Sequence, residues 1–165
     1  MGMIGCFASV STETLDHLRQ EPDAIEDFLY PDDGDSEPPN CVDVDKAWHG
    51  IHYLLTGQAD GGPHPLGLAV FGGEEFGPEV GYGPARFLSP SQVAEVAEAL
   101  STLSVDALGQ RFNPEDMEAK KIYPDVIWVR DRQDAFEYLL ENYQQLVVLY
   151  RDAAARGDGM LQWLS

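Results

Sequence analysis

Phe136, Leu139, Leu140, Tyr143, Leu146, Val147 and Tyr150 recur at three- and four-residue intervals near the end of the chain, the spacing of one face of a long helix. Gly157 follows where a left-handed cap belongs. A helix with so wide an apolar face must be covered by a second layer, and the candidates for that layer are short strands. Met3 to Ser9 is an apolar run that reads as a buried first strand. Tyr82 to Leu88 and Val126 to Val129 read as further strands, and Met160 to Leu164 as a returning one.

Helices fill most of the rest. Leu15 and Leu18 open one that stops by Pro22, with a short continuation through Ile25, Phe28 and Leu29. From Asp43, the positions Val44, Ala47, Trp48, Ile51 and Leu55 predict a helix ended by Gly57. Ser89-Pro90 with Gln92 forms a capping-box start, followed by starts at Ser104 and at Asn113-Pro114. Tyr30 to Asn40 reads as an exposed acidic loop. Gly57 to Pro84 reads as a short helix near Pro65 to Phe71 and then an irregular glycine-rich loop. No repeat or domain linker is visible, so residues 1–165 form a single domain. The class is α/β (α+β), a small mixed sheet layered with helices.

Charge narrows function. With 29 acidic residues against 10 Lys and Arg, the formal charge is -19. Phosphate contacts need cations that release counterions, so nucleic acid is not an expected partner, and an anionic membrane is disfavoured likewise. A basic protein partner would be attracted instead. The apolar runs are too short for a membrane helix, and the opening lacks the basic and apolar blocks of a signal peptide. A cytoplasmic location is therefore expected, with Cys6 and Cys41 as free thiols.

Four segments, in order, resemble the YfbM-like family of bacterial proteins, which carries a domain of unknown function. They are the opening Met1 to Gly5, the stretch Val44 to Gly57, the stretch Gly81 to Leu88, and the pair Tyr123-Pro124. The likeness implies a layered α/β fold and a bacterial cytoplasmic protein, and it brings no activity with it. The acidic loop at Asp32 to Pro39 looks longer and more charged than that pattern.

On a helix, Asp45, His49, His52 and Thr56 fall at offsets of four, seven and eleven and form one polar stripe. A carboxylate and two imidazoles so placed could hold a divalent metal or move a proton. The plainer reading is that Asp45 caps the helix and His52 is a hydrogen-bonded boundary histidine. Tyr82 and Arg86 lie in the glycine-bearing segment 81–86, which lacks phosphate-loop spacing. Arg86 could clamp a ligand carboxylate or pair with a neighbouring acid. Pairs such as Trp48 with Tyr53 and Trp128 with Tyr123 could line a pocket, although aromatic residues at helical spacing usually build core. Ser91, Ser101 and Ser104 lack a nucleophile context, and Lys46, Lys120 and Lys121 read as solvated charges.

These observations favour a non-enzymatic interaction or small-ligand-binding protein. The rival is a small hydrolase or lyase using Asp45, His49 and His52, with or without a divalent metal, and with Arg86 orienting an anionic substrate. Candidate ligand-binding residues are Asp45, His49, His52, Thr56, Tyr82 and Arg86. No cofactor is indicated by any motif.

Overall fold

The computed structural model describes residues 2–34 and 36–165; Met1 of the opening motif and Asp35 of the acidic loop lie outside them. Strand β1 (Gly5–Val10) and strand β5 (Gly159–Leu164) are buried along their whole length and pair antiparallel through six register positions. Strand β2 (Cys41–Asp43) adds to the free side of β1. Strand β4 (Pro84–Leu88) adds to β5, and β3 (Glu74–Glu79) adds to β4. The order is β2-β1-β5-β4-β3. Every pairing is antiparallel, so the sheet is of the α+β kind and the expectation of a mixed sheet is corrected.

Both faces of this sheet are covered, which is why its central strands read as unbroken apolar runs. Successive side chains in a strand point to opposite faces. Cys6, Ala8 and Val10 of β1, Ala85 and Phe87 of β4, and Leu161 and Trp163 of β5 share one core. Helix α1 (Thr12–Gln20) and helix α2 (Ile25–Leu29) cover it with Leu15, Leu18, Ile25 and Leu29. Phe7, Leu88, Met160 and Leu164 face the larger core. There they meet helix α3 (Trp48–Thr56), helix α4 (Pro90–Ser101) and, later in the chain, the long helix α8 (Gln133–Arg156). The alternation puts Arg86 and Gln162, which are register partners, on the larger-core side between those apolar positions.

Local signals account for the helix ends. Ser89 and Gln92 close a reciprocal capping box on α4. Ser104 caps α5 (Val105–Arg111), and Asn113 followed by Pro114 starts α6 (Pro114–Ala119). Gly57 and Gly157 end α3 and α8 with φ of 73° at each, a conformation where a Cβ is costly.

Three expectations are corrected. The apolar run Val126 to Val129 is not a strand: only Trp128 is fully buried, Val126 is 64% exposed, and Trp128–Asp131 forms the short helix α7. Four apolar residues in a row are compatible with either element, and contact with the earlier helices decides. The helix expected near Pro65 to Phe71 shrinks to a 3-10 turn at Leu66–Leu68, and the stretch read as irregular contains β3. Strand β3 is mostly exposed and carries Gly77 and Pro78, so it shows no apolar alternation. Finally, α3 begins at Trp48; Asp45–Ala47 is a 3-10 turn whose first residue has φ of 50°.

Among the described residues, no helix is long and apolar enough to cross a membrane.

Candidate functional site

Helix α3 is buried nearly all round, with Trp48, Gly50, Ile51, His52, Tyr53, Leu54 and Leu55 shielded from solvent. Trp48, His49 and His52 of α3 share a cleft with Arg86 of β4 and the glycine-rich chain between α3 and β3. The cleft measures about 350 Å³ and is lined also by Asp60 and Phe71, with Gly61, Gly67 and Gly72 in its wall.

His49 is held on both sides. Its Nδ1 accepts the Tyr123 backbone N–H at 2.8 Å, and its Nε2–H donates to the Ala59 carbonyl at 2.9 Å. Those partners fix the neutral Nε2–H tautomer, since a proton on Nδ1 would face another donor. The ring also stacks on Trp48, with centroids 5.0 Å apart and planes 9° from parallel. Burial pushes the His49 pKa down, against the pull of the Ala59 carbonyl and Asp60.

His52 is different. It is only 6% exposed, yet neither ring nitrogen makes a hydrogen bond of good geometry. Burial, and then His49, push its pKa down; the Gly61 backbone and Asp60 favour its proton without prevailing. Arg86 lines the same cleft. It donates to the Gly73 carbonyl at 3.2 Å and to Glu75 at 2.7 Å, while its guanidinium carbon lies 4.4 Å from the Phe71 ring centroid. Its Nε is buried and has no partner.

His49, His52 and Arg86 thus line one cleft, and Asp45, Thr56 and Tyr82 do not. Asp45 precedes α3 in the 3-10 turn, so a helical wheel run back from His49 misplaces it. Its carboxylate accepts the Tyr138 hydroxyl at 2.7 Å in a separate groove with Lys46 and Asp134. Nor does its side chain cap α3. The Thr56 hydroxyl turns back to the His52 carbonyl at 2.9 Å. Tyr82 is 50% exposed on the β3–β4 connection. Among the described residues, no three His, Cys, Asp or Glu side chains gather as a metal site.

Sequence reasoning missed Asp60, Phe71 and the loop glycines. Their signal was the glycine density after Gly57. Gly67 and Gly72 are there because a Cβ would strike backbone: 2.8 Å from the Gly62 carbonyl oxygen and 2.3 Å from that of Gly67. The cysteines sit in another hollow, toward the β2 edge, with Trp163 and Ser165. Burial, then Cys6, pushes the Cys41 thiol up to about 12, so it is protonated and a poor nucleophile.

The two imidazoles make stability pH-dependent with a definite sign. In the unfolded chain they take up protons near 6.5, the ordinary imidazole value, and in the folded protein only at lower pH. Their contribution is therefore complete above the unfolded value, is lost as pH falls toward the lowered one, and is constant below that. Thermal unfolding from pH 8 to pH 5 is expected to show a falling midpoint. His52→Gln should flatten the fall; a parallel profile would remove His52 from this account.

A five-stranded antiparallel sheet with helices on both faces and a small polar cleft between α3 and β4 defines an α+β protein. Residues 1–163 match the model of the family described as Domain of unknown function (DUF1877), and the chain belongs to that family. It is 28% identical over 171 residues to Protein YfbM of Escherichia coli (strain K12), covering 98% of this chain and 97% of that protein. The crystal structure of a protein of unknown function, YfbM from Escherichia coli, superposes with a TM-score of 0.76 at 24% identity. That match covers 99% of this chain and 100% of the other, and at this identity it speaks for the fold alone.

Proposed function

We propose that this chain is a cytoplasmic small-molecule-binding protein whose site is the cleft between α3, β4 and the Gly57 to Gly73 loop. One observation carries the reading: the His52 ring nitrogens and the Arg86 Nε are buried without hydrogen-bond partners, and both residues line the same cleft. A buried polar group left unpaired costs roughly 1–3 kcal/mol, a loss that a bound molecule with matching groups recovers. The cleft volume of about 350 Å³ lies at the small end of the ~300–1,000 Å³ typical of ligand pockets. The unpaired Cys6 and Cys41 suit a reducing compartment.

The hydrolase or lyase reading has less support. Its carboxylate, Asp45, is engaged by Tyr138 elsewhere, and both nitrogens of His49 are already hydrogen-bonded. A fragment screen on ¹⁵N-labelled protein tests the binding reading. Hits are expected to move the Trp48 indole and His52 imidazole signals, and to bind about tenfold more weakly to Arg86→Gln, the loss of one hydrogen bond to a charged group. Hits confined to other surfaces, or unaffected by both Arg86→Gln and His52→Phe, would end it.

A further inference from the structure

Resting on that reading, we propose that the occupant is an uncharged planar heteroaromatic molecule carrying an amide-type edge, a carbonyl beside an N–H. Three features of the cleft point there.

The first is charge. Arg86 is the basic side chain of the lining, and its guanidinium already meets Glu75 at 2.7 Å. Asp60 adds a second carboxylate at the rim. An entering anion therefore finds a compensated cation, a free carboxylate, and behind them a chain of formal charge -19. A cation would face the guanidinium, whose unpaired Nε–H needs an acceptor.

Hydrogen-bond inventory is the second. The Arg86 Nε is a donor only, so it asks for a carbonyl-like oxygen. A neutral imidazole carries one donor and one acceptor. Neither His52 ring nitrogen has a partner, so in either tautomer one nitrogen remains an acceptor that asks for an N–H. An amide or lactam edge offers both complements side by side. A carboxylate offers oxygens and no donor, so it satisfies Arg86 and leaves the acceptor nitrogen of the imidazole unpaired.

Shape is the third. Trp48 and Phe71 both line the cleft, their rings tilted by 47° with centroids 6.3 Å apart. Aromatic side chains in a lining pack well on a flat ring, offset or edge to face. The cleft volume accommodates a single ring system better than a dinucleotide or a peptide.

The test uses the full chain and matched probes. Nicotinamide and uracil carry the edge; nicotinate replaces it with a carboxylate at nearly constant shape; N,N-dimethylnicotinamide keeps the carbonyl and loses the N–H. Titrations followed by the Trp48 indole and His52 imidazole resonances should show saturable binding of a neutral probe, with the nicotinate and dimethyl forms each about tenfold weaker than nicotinamide. In His52→Phe the preference for nicotinamide over its dimethyl form should vanish. The wild-type comparison carries the result alone if that variant fails to fold. Nicotinate binding as tightly as nicotinamide in the same cleft would overturn the ligand class and leave the binding reading standing. Fragments of other chemistry seated at Trp48 and His52, with both neutral probes silent, would do the same. Silence of every probe and fragment at these resonances would overturn both.

Discussion

Replacing Gln162 with leucine is expected to cost about 3–5 kcal/mol of folding stability, although the two side chains are close in size. Gln162 is fully buried on β5, where an isolated amide would be a liability. Its Oε1 accepts the Gly73 N–H at 3.0 Å. Its Nε2 donates to the carbonyls of Leu68 at 2.7 Å and Ala69 at 3.2 Å, and also meets the Tyr150 hydroxyl at 3.2 Å. Tyr150 in turn donates to Ala69. One side chain from the middle of the sheet thus satisfies the backbone of the loop that walls the cleft. Leucine would bury the Gly73 N–H and the Leu68 carbonyl without partners, and each such group costs roughly 1–3 kcal/mol. Urea unfolding measures the loss; a change below about 1 kcal/mol would show that the loop holds itself. Because Val70, Phe71 and Gly72 lie between the tethered residues, the same substitution should also speed amide exchange at Gly73 and weaken occupancy of the cleft.

How much of this could be read beforehand follows from where the information resides. Chain ends of helices are local, so Ser89-Pro90 with Gln92, Asn113-Pro114, Gly57 and Gly157 announced themselves. Strands β1 and β5 were legible because burial on both faces leaves a continuous apolar run. Strand β2 is three residues long and β3 is mostly exposed, so neither carries a pattern of its own; they are strands because neighbours offer hydrogen bonds. The site was half legible for the same reason. His49 and His52 lie on one helix, whose periodicity relates them. Arg86 joins them only because β4 lies beside β5, with Arg86 opposite Gln162 on the larger-core face, and no local pattern encodes that order. Asp45 failed where the helical wheel was run past the true start of α3.

A loss of the same size is expected from Trp128→Ala, about 3–5 kcal/mol, the range for truncating a large buried aromatic. Trp128 is fully buried, and its indole N–H donates to the Ile122 carbonyl at 2.8 Å, so alanine leaves both a void and an unpaired acceptor. The ring enters the core across α3 at Gly50, where the missing Cβ makes room: a methyl there would sit 2.7 Å from the Trp128 ring edge and 2.6 Å from a Leu139 methyl. Gly50→Ala alone should therefore destabilise by roughly 1–3 kcal/mol, because both neighbours are fully buried and cannot swing into solvent. Combined with Trp128→Ala, the same methyl enters vacated space and Leu139 can follow it. The second substitution should then be neutral or stabilising, a coupling of about 1–3 kcal/mol between the two positions. A double-mutant cycle by urea unfolding reads that coupling directly. Additivity within about 0.5 kcal/mol would mean that α3 can shift to accept a side chain at residue 50. In that case, the close approach of α3 and α7 would not be what fixes the helix carrying His49 and His52.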